Sequence, residues 1–258
     1  MADEKFYRAK VTKRIDHSND LWSIRVNPPE KFNYTPGQYA TLGVVEAAKH
    51  VERPYSIVSA PFEDELEFFI ELVPHGGLTP LLHKLQVGDE MTMRKVPKGR
   101  FTLDTVSGRT RHLLLCTVTG IAPFVSYVRA LYRQWEHGDF HGEHRLYMIE
   151  GASRSWEFGY REEVKAIAAE VPWLQFVTSV SRPWEDTDWN GETGRVEDIL
   201  RKYADRWGLT ADNASVYLCG HPQMIENTKG ILARRGFRKQ SIREEVYWIP
   251  AKEAAATS

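Results

Sequence analysis

Cysteine is scarce. Cys116 and Cys219 are the only thiols in 258 residues. That excludes a disulfide scaffold, a four-cysteine zinc site and a four-cysteine iron–sulfur cluster held by this chain alone. Two thiols so far apart fit a reducing compartment. Neither sign of charge dominates, since 34 Lys and Arg oppose 35 Asp and Glu for a net charge of −1. So balanced a chain is not expected to bind nucleic acid. No run approaches the ~18 consecutive apolar residues of a membrane helix, and the opening MADEKFYRAK lacks the apolar stretch of a secretory signal. The expectation is a cytoplasmic protein with no membrane span. The G-x-G-x-x-G, P-loop, H-E-x-x-H and G-x-S-x-G motifs are all missing. His137, His141 and His144 have metal-like spacing but lie in a loop-like Gly- and Asp-containing stretch, and no metal is expected.

What is present divides into two halves. Up to about residue 105, short β-rich segments such as Leu21 to Val26 and Leu66 to Leu72 alternate with turn signals such as Asn27-Pro28-Pro29 and Pro36-Gly37. This predicts an antiparallel barrel or sandwich. One helix interrupts it, with Thr79 as N-cap and Pro80 as first helical residue. A polar linker is expected from Asp104 to Arg111. Beyond it, apolar runs alternate with helix-like stretches. Strands are predicted at His112–Thr117, 145–149, 174–180 and 215–219. Helices are predicted at about 123–135, 156–169, 196–206 and 222–235. Alternation of this kind predicts a parallel, doubly wound α/β sheet. The expected domains are therefore 1–105 and 106–258.

Four motifs carry chemistry. Arg53-Pro54-Tyr55-Ser56 brings together a fixed cation, a ring and a hydroxyl. Arg can pair with phosphate, and Tyr can lie against a planar ring. Alone, the tetrad reads better as a half-buried strand with a surface arginine. Gly76-Gly77-Leu78-Thr79-Pro80 follows a strand and opens a helix, where backbone N–H groups favour an anion. Val118-Thr119-Gly120-Ile121-Ala122-Pro123 and Cys219-Gly220-His221-Pro222 each follow a parallel strand, at the edge where α/β sheets bind nucleotides. Each of these three is also an ordinary strand–turn–helix joint.

In this order, and with Pro36-Gly37-Gln38-Tyr39, Leu85-Gln86-Val87-Gly88-Asp89 and Glu245-Val246-Tyr247-Trp248, the motifs resemble the plant-type ferredoxin–NADP⁺ reductase superfamily, most closely its bacterial ferredoxin/flavodoxin–NADP⁺ reductases. The resemblance implies an N-terminal FAD-binding barrel and a C-terminal NADP-binding domain whose aromatic end closes on the flavin. Arg53 would face the pyrophosphate of FAD, with Pro54 beside it. Tyr55 would pack on the isoalloxazine and Ser56 would hydrogen-bond near its reactive nitrogen. Leu78 and Thr79 would hold FAD phosphates. Thr119 would touch both FAD and nucleotide, and Gly120 the nucleotide. Cys219 would sit beside the nicotinamide. Tyr247 would stack on the flavin and Trp248 on its adenine. Glu245 would orient nicotinamide or relay protons. Where the family usually has Gly, this chain has Val118. It also continues past Trp248, from Ile249 to Ser258.

NADP differs from NAD by a 2′-phosphate that calls for nearby Arg or Lys. Arg154, Arg182 (after Ser181) and Arg195 follow successive strands, and bacterial relatives place arginines at these points. The implied activity is hydride exchange with NADP(H) and single-electron exchange with ferredoxin or flavodoxin, by a monomer. Arg94, Lys95, Lys98 and Arg100, with Lys10, Lys13 and Arg14, are candidates for the carrier surface. The alternatives are an NAD(P)H-dependent reductase of another acceptor (free flavin or an oxygenase component) and a non-catalytic flavin-binding subunit.

Overall fold

The computed structural model describes residues 5–46 and 49–247. The first half contains strands β1 (Phe6–Asp16), β2 (Leu21–Asn27), β3 (Tyr39–Glu46), β4 (Lys49–Ser56), β5 (Leu66–Glu71) and β6 (Glu90–Arg94). They form one antiparallel sheet in the order β4-β3-β6-β1-β2-β5. In β1, Tyr7, Ala9 and Val11 turn inward while Arg8 and Lys10 face water, the period of two that a half-buried strand requires. Trp22, Ile24, Leu42, Phe68 and Met93 meet in one core inside the half-barrel.

The alternation in β5 is imperfect because both of its faces are covered. Leu66, Phe68 and Ile70 enter the barrel core, while Phe69 packs into the core of the second half. The short helix α1 (Thr79–His83) is capped by Leu78, not Thr79. The Thr79 hydroxyl is already used: it accepts from the Val73 amide (3.0 Å) and donates to the Val73 carbonyl (3.2 Å).

The second half contains β7 (Arg111–Thr117), α2 (Ala122–His137), β8 (Arg145–Ala152), α3 (Arg161–Glu170), β9 (Leu174–Val180), β10 (Glu192–Thr193), α4 (Val196–Arg206), β11 (Ala214–Gly220), α5 (Pro222–Arg234) and β12 (Ile242–Val246). Its sheet is parallel, in the order β10-β9-β8-β7-β11-β12. Apolar residues on both faces explain the continuous runs: Leu114 and Met148 enter one core, Leu113, Ile149 and Val216 the other. The predicted helix at 156–169 is broken. A 3-10 turn covers Ser155–Glu157, and α3 starts only at Arg161. The break lets the chain pass close to the barrel, since a Cβ on Gly159 would lie 2.6 Å from the Phe69 ring.

Two further features join the halves. The linker begins not with a solvated residue but with buried Asp104. Burial works to raise its carboxyl, but hydrogen bonds from Ser107, Val106 and Ser215 outweigh it and hold it at about 2. Above the linker, Arg129 on α2 pairs with Glu67 (2.7 Å) and Glu63 (3.3 Å) of the barrel and with Glu163 of α3 (2.6 Å). Tyr160 donates to Glu67 (3.0 Å) and Ser126 to the Ser59 carbonyl (2.7 Å). Among the described residues no helix is long and apolar enough to cross a membrane.

Candidate active site

The parallel strands reverse direction of winding between β7 and β11, so their carboxyl ends open a crevice there. A cleft of about 730 Å³ occupies it, within the size range of small-molecule sites. Thr119, Arg154, Ser181, Arg182, Arg195 and Tyr247 line it. Thr117, at the end of β7, accepts from the His221 amide (2.9 Å) and so ties the two loops that flank the crevice. Gly120 and Cys219 stand behind the wall: a Cβ on Gly120 would strike the Cys219 backbone, and Cys219 is fully buried. Gly120 thus lets the 3-10 turn Val118–Ile121 settle on the end of β11.

Beside Tyr247, which lines this cleft, elements distant in sequence converge. Glu245 on β12 lies in register with Cys219 on β11. Across the domain junction, Ser56 at the end of β4 donates to Glu245 Oε2 at 3.2 Å, a bond spanning 189 positions. Burial pushes the Glu245 carboxyl up to about 7, with the Ser56 bond opposing part of the shift. The Tyr247 hydroxyl interacts with both Cys219 and Ser56. Burial also pushes the Cys219 thiol up, so it stays protonated. The group is therefore neutral or singly charged near pH 7 and able to hold a proton.

On the barrel side, Arg53 is exposed and donates to the Glu52 carbonyl (2.7 Å). Its Nη2 lies 3.9 Å from where a Cβ on Gly77 would stand, so the tetrad and the glycine turn face each other. Tyr55 is half-buried, and Leu78 is buried beneath the turn. A guanidinium beside a glycine turn suits a pyrophosphate, and a ring next to a hydroxyl suits a flat heteroaromatic. The donor set thus fits FAD. The three arginines and the 3-10 turn at the end of β7 fit a phosphorylated dinucleotide. Trp248 lies outside the described residues.

The sequence matches two family models, an oxidoreductase FAD-binding domain over residues 8–103 and an oxidoreductase NAD-binding domain over residues 114–230. It is 30% identical over 233 residues to the flavodoxin/ferredoxin–NADP reductase of Escherichia coli, covering 89% of this chain and 90% of that protein. The chain belongs to the ferredoxin–NADP⁺ reductase family. It is accordingly an FAD- and NAD(P)-binding oxidoreductase. The similarity to the Rhodobacter capsulatus flavodoxin/ferredoxin–NADP reductase is 35% but confined to 123 residues, 47% of this chain and 46% of that one. The reductase component of a propane 2-monooxygenase from Mycolicibacterium goodii is 28% identical over 94% of this chain and 68% of its own length. Among solved structures, a ferredoxin NADP⁺ reductase of Neisseria gonorrhoeae with bound FAD and NADP superposes with a TM-score of 0.81 at 25% identity, covering 95% of this chain and 99% of the other.

Several features escaped the sequence. Asp20, Leu21 and Glu71 of the barrel also line the cleft. Nothing local marks them, because the contact exists only once the two sheets meet. Val118 has a φ of +45°, a left-handed conformation that β-branched residues rarely adopt. The signal was there, since the position calls for glycine. Of the basic residues expected on the surface, Lys10, Lys13, Lys95, Lys98 and Arg100 are exposed. Arg14 is not: it donates to the carbonyls of His83 (2.6 Å) and Leu85 (2.9 Å) and leaves 9% of its side chain exposed. Arg94 is paired with Glu52 and lies over the Phe6 ring. His144 is engaged by His112 (3.0 Å), and no set of three metal-ligating side chains occurs among the described residues.

Proposed function

We propose that this family member is an NADP(H)-dependent reductase that exchanges single electrons with ferredoxin or flavodoxin. In this reading residues 1–105 hold FAD and residues 106–258 hold the coenzyme. The observation that carries it is the Ser56–Glu245 hydrogen bond (3.2 Å) across the domain junction, because it joins the flavin tetrad to the strand that leads into Tyr247 of the nucleotide cleft. FAD, when bound, supplies hydride acceptance and one-electron release in a single cofactor.

The chain supplies placement and proton control. Arg53 and the Gly76-Gly77 turn, with Leu78 and Thr79, hold the FAD diphosphate. Pro54 fixes the backbone between Arg53 and Tyr55, and Tyr55 flanks the flavin ring. Thr119 and Ser181 hold the coenzyme, with Gly120 and Cys219 forming the wall behind it. Tyr247 shields the site and excludes water. Ser56 donates to Glu245 Oε2, and the carboxyl, pushed up to about 7 by burial, can hold a proton on its other oxygen and give it up near neutral pH. Arg154, Arg182 and Arg195 receive the 2′-phosphate. Lys95, Lys98 and Arg100, with Lys10 and Lys13, present exposed positive charge to an acidic carrier, which steers encounter and makes it salt-sensitive.

Similarity to an oxygenase reductase component over 94% of this chain favours one second reading, in which the acceptor is an oxygenase. Anaerobic titration with NADPH and NADH, followed by flavin absorbance, tests the coenzyme. Bleaching at much lower NADPH than NADH concentration is expected, and equal or reversed preference rejects NADP(H). Steady-state reduction of a ferredoxin and a flavodoxin at rising salt tests the acceptor. Turnover that is absent with both carriers rejects that half of the reading.

A further inference from the structure

Two of the arginines that line the cleft are held by an acid of the chain, Glu185, which does not line the cleft itself. Arg195 is exposed and makes no ion pair among the described residues. Arg154 and Arg182, by contrast, share one carboxylate. Glu185 Oε2 accepts from Arg154 Nε (2.7 Å) and from its Nη2. Glu185 Oε1 lies 3.7 Å from Arg182 Nη1. One carboxylate thus bridges two guanidinium groups contributed by the loops after β8 and β9, where two arginines would otherwise face an incoming phosphate.

The neighbouring acids are tied down differently. Glu157 meets Arg154 (3.2 Å) but also accepts from the Ser153 amide (2.8 Å). Asp186 is buried and accepts from the Ser155 amide (2.7 Å). Those two brace the loop backbone. The Glu185 carboxylate contacts guanidinium groups only, among the described residues, and leaves 36% of its side chain exposed on a 3-10 turn (Pro183–Glu185). It can therefore leave without breaking the loop.

We propose that Glu185 tempers the coenzyme preference: it is an internal anion, seated between Arg154 and Arg182, that an incoming 2′-phosphate must displace. The proposal rests on the reading that these arginines receive a 2′-phosphate. A phosphate monoester brings roughly −1.5 to −2 charge near neutral pH, against −1 for the carboxylate, and offers three acceptor oxygens. It outcompetes Glu185, whereas a bare ribose hydroxyl does not. Displacement lowers NADP(H) affinity relative to an open seat, since binding is reduced by the fraction of molecules whose seat is already free.

The test is Glu185→Gln, with NADP⁺, NAD⁺ and 2′-phospho-AMP as probes in calorimetric titrations of the FAD-loaded protein. NADP⁺ and 2′-phospho-AMP are expected to bind about five-fold more tightly, the most an exposed ion pair is worth, and NAD⁺ within two-fold of before. Weaker binding of the phosphorylated probes would show that Glu185 pre-orients the arginines, and overturns the proposal. So does no change, or an equal gain for NAD⁺. Arg154→Ala separates the two levels of the argument. If it leaves 2′-phospho-AMP binding intact, the phosphate seat lies elsewhere and both readings fail. If it abolishes that binding while Glu185→Gln changes nothing, only the displacement proposal fails.

Discussion

Behind the cleft, next to Tyr247, Ser56, Cys219 and Glu245 meet largely out of water, joined by a hydrogen bond that crosses the domain junction. In the loops after β8 and β9, Arg154, Arg182 and Glu185 form ion pairs with a quarter to a half of each side chain in water. The same kinds of group behave differently in the two places. Burial moves Glu245 to about 7, which leaves it able to hold or release a proton near neutral pH. Exposure leaves the ion pairs of the arginine loops weakly held, which suits groups that exchange partners. The desolvation that makes a buried carboxylate useful would make a displaceable one too costly to move.

The comparison can be pressed hardest at the domain junction, where ion pairs are buried. Arg129→Ala is expected to cost about 3 kcal/mol, the low end for a broken buried pair, because Glu67 loses its principal counter-ion and keeps Arg25 (3.0 Å). Chemical denaturation checks this, and a loss no larger than that of an exposed pair such as Lys202–Glu192 would dissolve the distinction between the two kinds of site. Glu245→Gln is expected to reduce kcat by about 10²-fold, the low end of a lost proton-transfer group. The wild-type rate should also show an inflection near pH 7 that the variant lacks. If the variant keeps the inflection, the titrating group is another.

Stability should carry a related signature. Glu150 is fully buried, in register with Cys116, and neither of its carboxylate oxygens has a hydrogen-bond partner among the described residues. Burial pushes its carboxyl well above the ordinary 4.5, with Arg161 opposing weakly. A carboxyl raised on folding contributes stability below its unfolded value and loses it as pH rises through its folded one. Thermal melts should therefore fall toward alkaline pH, and Glu150→Gln should flatten that fall. A variant that melts lower than wild type at high pH would mean the carboxylate is needed as a charge. The smallest effect is expected at Val118→Gly. Relief of the left-handed strain, about 1 kcal/mol, is offset by packing lost from a half-buried side chain, so the melting temperature should barely move. Coenzyme KM should fall about three-fold as the backbone becomes free to approach the ligand. An unchanged KM would show that Val118 does not touch the binding path.

Much of this protein was legible in one dimension. Alternation in β1 and continuous apolar runs in β7 and β8 reflect how many faces each strand buries, which is a local property of the pattern. The strand-end motifs were legible for a similar reason: loops at the carboxyl ends of parallel strands flank the crevice, so Thr119, Arg154, Arg182 and Arg195 were expected beside it, and they line it. The break at Gly159, the burial of Asp104 and the sealing of Arg14 were not legible. Each depends on a surface contributed by a segment far away in the chain.

By itself, then, the sequence determined two sheets of opposite type, the family to which they belong and the residue types at the strand ends. Tertiary structure alone decided what those residues do to one another. It set Ser56 against Glu245 across 189 positions, moved a carboxyl to the middle of the pH range, and laid Glu185 between two arginines. Periodicity is written along the chain, but desolvation and charge pairing depend on distance through space, and only folding sets those distances.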